Sequence, residues 1–181
     1  LHAEAYKKIY TRCGLSFHIV GASSGAMGGS GSQEFMVESN AGEDNLAVCT
    51  ETGYAANVEI ASSMVPAAEK FSTSDPLKEV HTPNCKSIDE VAAFLKLPTN
   101  RCAKSLIFIN GKQPVLVLML GNDQLNESKL QSVFGQDIRP AQAEELLLLT
   151  GADAGSIGPV GLENTFTIVA DKRLENANGL V

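Results

Sequence analysis

Apolar positions along the chain follow two spacings, one helical and one strand-like. In the first stretch Ala5, Ile9 and Leu15, with Tyr6 and Tyr10, recur at helical intervals, which predicts a helix from Leu1 that Gly14 ends. Leu15 to Val20 then reads as a strand, Gln33 to Glu38 as another, and Leu46 to Cys49 as a short apolar segment beyond a turn at Asn40 to Glu43. Together these predict short strands in an antiparallel arrangement.

A second pattern begins after the small and polar stretch 63–78, which holds Pro66, Pro76 and the run Ser72-Thr73-Ser74-Asp75. Such punctuation marks a crossover between domains. Beyond it Ile88, Val91, Ala92 and Leu95 share one helical face. Ser87 is placed to cap that helix and Glu90 to complete a capping box. Ser105 to Asn110 and Pro114 to Leu120 predict two apolar strands joined at Gly111-Lys112. Asn126 to Phe134 and Ala141 to Leu149 read as helices, and Phe166 to Ala170 as a further buried strand. The mixture predicts an α/β domain with a largely covered sheet, so the chain as a whole reads as mixed α+β. The expected division is 1–62, a linker at 63–78, and 79–181.

With 44% apolar and 19% charged residues, the 181-residue chain can bury a core and is too weakly charged to be disordered. No apolar run reaches the roughly 20 residues of a membrane-spanning helix. No secretory signal pattern is present, and Leu1 in place of Met leads us to expect a piece of a longer protein. Cys13, Cys49, Cys85 and Cys102 form no CxxC pair and have no metal-ligand spacing, so free thiols and a cytoplasmic setting are expected, with no metal site. A net charge of −7 excludes a surface that grips nucleic acid everywhere; any RNA contact is local or lies elsewhere.

Candidate chemistry is sparse. The run Gly25-Ala26-Met27-Gly28-Gly29-Ser30-Gly31-Ser32 lacks the Lys of a phosphate-binding loop, and strand-like residues follow it, so alone it reads as a loop. Lys104 opens an apolar strand, where a lysine is ordinarily a solvated strand end. Gly155 to Pro159 has the composition of any loop. Thr82 could simply start a turn before Pro83, and Asp171 could be the polar end of a strand. His81 has no Ser or Cys partner in view and is not read as a general base.

Order gives these pieces more meaning. Arg12-Cys13-Gly14-Leu15, Ser24-Gly25-Ala26-Met27-Gly28-Gly29-Ser30, Glu34-Phe35-Met36-Val37, Gly42-Glu43-Asp44 and Tyr54-Ala55-Ala56-Asn57 follow one another as in bacterial prolyl-tRNA synthetases. The first part of the chain resembles the part of the class II catalytic core, with its antiparallel sheet, that leads into the inserted editing domain of those enzymes. Val80-His81-Thr82-Pro83, Ala103-Lys104-Ser105-Leu106, Asn126-Glu127-Ser128-Lys129, Gly155-Ser156-Ile157-Gly158-Pro159 and Asp171-Lys172 resemble that inserted domain, which is similar to the free-standing YbaK-like deacylases.

The resemblance implies a proline–tRNA ligase that charges tRNA(Pro) using ATP and Mg2+, acts as a cytoplasmic homodimer, and carries a cofactor-free domain that hydrolyses mischarged alanyl-tRNA(Pro). In that reading Lys104, Gly155 and Pro159 are catalytic, with Thr82, Ser156, Gly158 and Asp171 in the editing pocket. Gly28, Gly29, Ser32, Gln33, Glu34 and Phe35 lie near the proline pocket. Gln33 stands where the family usually has His; it keeps hydrogen-bonding capacity but cannot carry positive charge. The family's important histidine lies beyond the segment matching Asn176-Ala177-Asn178-Gly179, so this stretch alone is expected neither to edit nor to aminoacylate. A free-standing aminoacyl-tRNA deacylase and a non-catalytic RNA-binding module remain the competing readings.

Overall fold

A computed structural model describes residues 2–23, 31–71, 76–162 and 165–181. It is a mixed α+β structure with two four-stranded sheets. Contacts divide the chain into two units, Leu1–Ser63 with Asn126–Gln136, and Met64–Leu125 with Asp137–Val181.

In the first unit the predicted helix is α1, His2–Arg12. It buries no residue fully. Its Tyr6 and Tyr10 instead join Phe17 and Phe35 in an aromatic cluster with ring centroids 5.3 to 5.6 Å apart. The Tyr10 hydroxyl also donates to the Phe35 carbonyl at 3.2 Å, so one amphipathic side chain supplies both apolar area and a polar anchor.

The sheet of this unit has the order β2-β1-β4-β3, from β1 (His18–Ala22), β2 (Ser32–Met36), β3 (Leu46–Val48) and β4 (Ala55–Asn57). The expected all-antiparallel arrangement needs correction: β1 and β4 pair in parallel, Gly21 opposite Ala56. They are not hairpin neighbours, so the chain passes through β2 and β3 and returns along β1 in the same direction. Helix α3 (Glu127–Phe134) belongs to this unit; its cap Asn126 accepts from the Lys129 N–H and donates to the Glu59 carbonyl.

The second unit is built on a long hairpin. β5 (Ala103–Asn110) and β6 (Gln113–Leu120) pair through all eight positions across the predicted Gly111-Lys112 turn. Ile107, Phe108 and Ile109, and Val115, Leu116 and Val117, are buried in succession, which requires both faces of the hairpin to be covered. On one face Ile107 and Leu116 pack with Leu146 of helix α4 (Ala143–Thr150), joined by Leu118, Ile157, Leu162 and Phe166. Helix α2 (Ile88–Leu95) begins with the predicted capping box of Ser87 and Glu90.

β7 (Ile138–Pro140) adds antiparallel to β5, and β8 (Thr167–Ala170) adds parallel to β6. The strand expected to be buried at the end of the chain is β8, and it is an exposed edge: Ile168 is 61% exposed. Among the described residues it has a strand neighbour on one side only, and three of its four residues are exposed.

Arg139 of β7 grips Glu145 of α4 through two parallel 2.8 Å bonds, and the Gln142 N–H donates to the same carboxylate at 2.8 Å. First the guanidinium and then that amide hold the Glu145 pKa down, from the ordinary 4.5 to about 2. A folded value below the unfolded one stabilises fully above about pH 4.5 and fades as pH falls toward 2. Glu145→Gln should therefore lower the melting temperature at neutral pH. In melts followed by circular dichroism, its difference from wild type should close between pH 4.5 and 2.

Candidate functional site

The sequence-predicted editing residues fall in the second unit, in two groups. The first forms around the segment before α2. Thr82-Pro83-Asn84-Cys85 is a tight turn in which the Cys85 N–H donates to the Thr82 carbonyl at 3.3 Å, and Asn84 takes φ 63°. Pro at the second position and Asn at the third suit that geometry. Thr82 is half-buried. After the turn, Glu90 reaches back from α2 to accept from the Lys86 and Ser87 N–H groups at 2.8 and 2.9 Å. The Lys86 amide and then the Ser87 hydroxyl hold its carboxyl below the usual range.

Gly155 completes this group. It sits third in a turn closed by the Ser156 N–H on the Asp153 carbonyl, with φ 89°. A Cβ there would lie 2.6 Å from the Lys86 carbonyl oxygen. Only glycine permits both the left-handed backbone and that approach. Two residues on, Ile157 packs into the Leu116 core, so the loop is fixed at both ends of Gly155-Ser156-Ile157. Ser156, Gly158 and Pro159 are exposed.

The second group forms where β6 ends. Lys104 lies opposite Met119, which carries the following turn back over it. The Lys104 ammonium donates to the Asp123 carbonyl, and the side chain is part-buried rather than a solvated strand end. The Asp123 carboxylate is held by Arg173, whose Nη1 lies 2.6 Å from each oxygen. Asp171 follows β8; its N–H donates to the Leu118 carbonyl at 2.8 Å, and its carboxylate accepts from the Arg173 N–H at 2.8 Å. It remains exposed.

The structure therefore gathers Lys104 and Asp171 into one network, and Gly155 and the Thr82–Lys86 segment into another. By strand alternation Lys104 lies on the face of the hairpin opposite Ile107, whereas Ile157 packs on the Ile107 face. Gly121 stands between the groups, its backbone so close to Cys102 and Ile88 that an added Cβ would lie 2.9 Å from the Cys102 oxygen and 2.8 Å from Ile88. Asp123, Arg173 and the hold of Glu90 on Lys86 are missed by sequence reasoning. Nothing local pairs residues 50 positions apart, and only the capping box gave Glu90 away.

In the first unit, Gln33, Glu34 and Phe35 line a cavity of about 440 Å3 with His2, Ala3, Tyr6, Tyr10 and Met36. Ser32 pairs with Ala22 at the end of β2. Gly28 and Gly29 lie outside the described residues. Among the described residues, no three of His, Cys, Asp and Glu gather as a metal site.

The model of the aminoacyl-tRNA editing domain matches residues 82–181, the span that holds both groups. The chain belongs to that family. It is also 43% identical over 173 residues to a proline–tRNA ligase of Ligilactobacillus salivarius, covering 95% of this chain and 30% of that protein. A proline–tRNA ligase of Streptococcus agalactiae is 37% identical over 214 residues, covering 97% and 35%. The chain thus spans about a third of the length of the curated relatives it matches. A solved structure described as a candidate trans-editing enzyme for prolyl tRNA synthetase shares 29% identity and covers 51% of this chain and 59% of that one, at a TM-score of 0.47.

The editing-domain loop yields a direct test. Gly155→Ala should cost about 1–3 kcal/mol, because it forces both a left-handed alanine and a clash with Lys86. Gly158→Ala, where a Cβ would meet nothing within 4 Å, should be near neutral. Urea denaturation of the two variants measures the contrast, and equal stabilities would contradict the loop placement.

Proposed function

We propose that this editing domain hydrolyses alanine from mischarged tRNA(Pro), and that the chain is part of a proline–tRNA ligase. The observation that supports the reading best is the half-buried Lys104 ammonium at the head of β5, inside the span that matches the editing family. Similarity to proline–tRNA ligases over 95% of the chain favours a part of such an enzyme over a free-standing deacylase.

The chemistry explains why such a domain is useful. Alanine is smaller than proline, so a proline pocket cannot exclude it by size. Missing methylenes give only about 1–3 kcal/mol of discrimination each. A second pocket that admits alanine can remove it after transfer. Water attacks the ester carbonyl carbon, the bond to the ribose oxygen breaks, and alanine leaves as the acid while the tRNA terminus regains its hydroxyl. The neighbouring ribose hydroxyl is available to relay the proton.

The roles that the resemblance gives these residues are divided between two groups, the Gly155 loop on the Ile107 face of the hairpin and Lys104 with Asp171 on the other. Lys104 is a compact positive charge with three donors, suited to the terminal phosphate. The open loop Gly155-Ser156-Ile157-Gly158-Pro159 offers backbone groups to the aminoacyl end, with Thr82 limiting its size, and Asp171 offers a carboxylate to its ammonium. His81 is exposed and takes no part.

The cavity lined by Gln33, Glu34 and Phe35 is where the whole protein would receive proline; the resemblance assigns Gly28, Gly29 and Ser32 to the same reaction. ATP and Mg2+ serve that synthetic reaction. The residues described here hold no metal cluster to which a step could be assigned. The whole protein works as a cytoplasmic homodimer.

In the full-length protein, Lys104→Ala should slow hydrolysis of alanyl-tRNA(Pro) by about 10²–10³-fold, the usual loss for one preorganised charged contact at a reacting centre. Proline-dependent pyrophosphate exchange, measured in parallel, should hold near wild type. Unchanged deacylation would remove Lys104 from the mechanism, and equal loss of both activities would point to misfolding.

A further inference from the structure

Arg173 links the two charges assigned to the substrate, and neither the family match nor the motifs give it a role. It lies in the short 3-10 turn Lys172–Leu174 that follows β8. Its backbone N–H holds the Asp171 carboxylate and its guanidinium holds the Asp123 carboxylate, while the carbonyl of that same Asp123 takes the Lys104 ammonium. The Arg173 and Asp123 side chains are only 23% and 24% exposed. The Arg173 Nε is buried with no hydrogen-bond partner among the described residues.

Stability is a poor explanation for such a pair. Desolvating two charges offsets most of their attraction, and a buried N–H left unpaired adds a further cost. A costly pair of this kind, one residue of which also holds the Lys104 ammonium, points to a role other than stability. We propose that the Asp123–Arg173 pair is a positioning device that keeps the Lys104 charge available to the substrate; the proposal rests on the reading of Lys104 as the phosphate contact. Lys104 uses one donor on the Asp123 carbonyl, which fixes the ammonium and leaves its other donors for an anion. The Asp123 carboxylate lies on that same residue, and its bonds come from Arg173. Without Arg173 the freed carboxylate would turn to Lys104, pair with it, and neutralise the charge meant for the phosphate.

This account separates charge release from simple loss of packing. In the full-length protein, Arg173→Met should reduce the kcat for alanyl-tRNA(Pro) hydrolysis by about 10²-fold, the scale of a misplaced catalytic group. Arg173→Lys, which keeps a cation beside Asp123, should retain much of the activity. The double variant Asp123→Asn/Arg173→Met should recover most of what Arg173→Met loses, because Asn has no charge to offer Lys104; the rates are compared below the melting temperature of every variant, where a purely structural pair would leave kcat unchanged in each folded protein.

Wild-type rates in Arg173→Met, with Lys104→Ala inactive, would overturn the positioning role and leave Lys104 in place. A double variant as slow as Arg173→Met, with a wild-type melting curve, would overturn the charge argument. If Arg173→Met does not fold, Arg173→Gln, neutral but still able to donate a hydrogen bond, takes its place: folded and slowed about 10²-fold it supports the device, folded with wild-type kcat it refutes it. Undiminished hydrolysis by Lys104→Ala would remove the underlying reading and the device with it.

Discussion

The pairing register of β5 and β6 is the constraint on which the second unit depends. Eight consecutive pairs place Ile107 against Leu116 and Lys104 against Met119. A slip by one residue would exchange the two faces of the strand, taking Ile107 off the Leu146 face and moving Lys104 onto it. The burial of Leu116, Val115 and Leu120 to 1% or less makes that slip costly. The same register returns the chain over Lys104 at Asp123, so the fold of the hairpin and the placement of a charged side chain are one event.

Around this hairpin, rigidity and openness are divided between elements. The loop carrying Gly155 is tied down by Lys86 on one side and by Ile157 in the core on the other, while Ser156, Gly158 and Pro159 stay exposed. For the proposed substrate this combination is favourable, because preorganised backbone groups lose little freedom on binding. The net charge of −7 is compatible with the proposal, which asks for positive charge at Lys104 rather than over the surface.

Much of this was legible in the sequence, and the reasons are physical. The α2 helix, its capping box and the β5–β6 hairpin came from periodicity and turn chemistry, which act within a few residues. The short strands β4 (Ala55-Ala56-Asn57) and β7 (Ile138-Arg139-Pro140) lack the pair of large apolar residues that Leu46 and Val48 give the equally short β3, so nothing local marks them as strands. The parallel pairing of β1 with β4 and the exposure of β8 depend on which strands become neighbours. The helix α3 was read from its own pattern, but no pattern says which unit it packs in. The Asp123–Arg173 pair joins positions that only the folded sheet brings together.

The central claim is that the domain spanning residues 82–181 removes alanine, and not proline, from tRNA(Pro). The most direct measurement compares hydrolysis of alanyl-tRNA(Pro) and prolyl-tRNA(Pro) by the full-length protein, with radiolabelled amino acid and at equal tRNA concentration. The account predicts that the alanyl ester is cleaved well above its spontaneous rate and the prolyl ester is not. Equal rates for the two esters, or no cleavage of the alanyl ester, would contradict it.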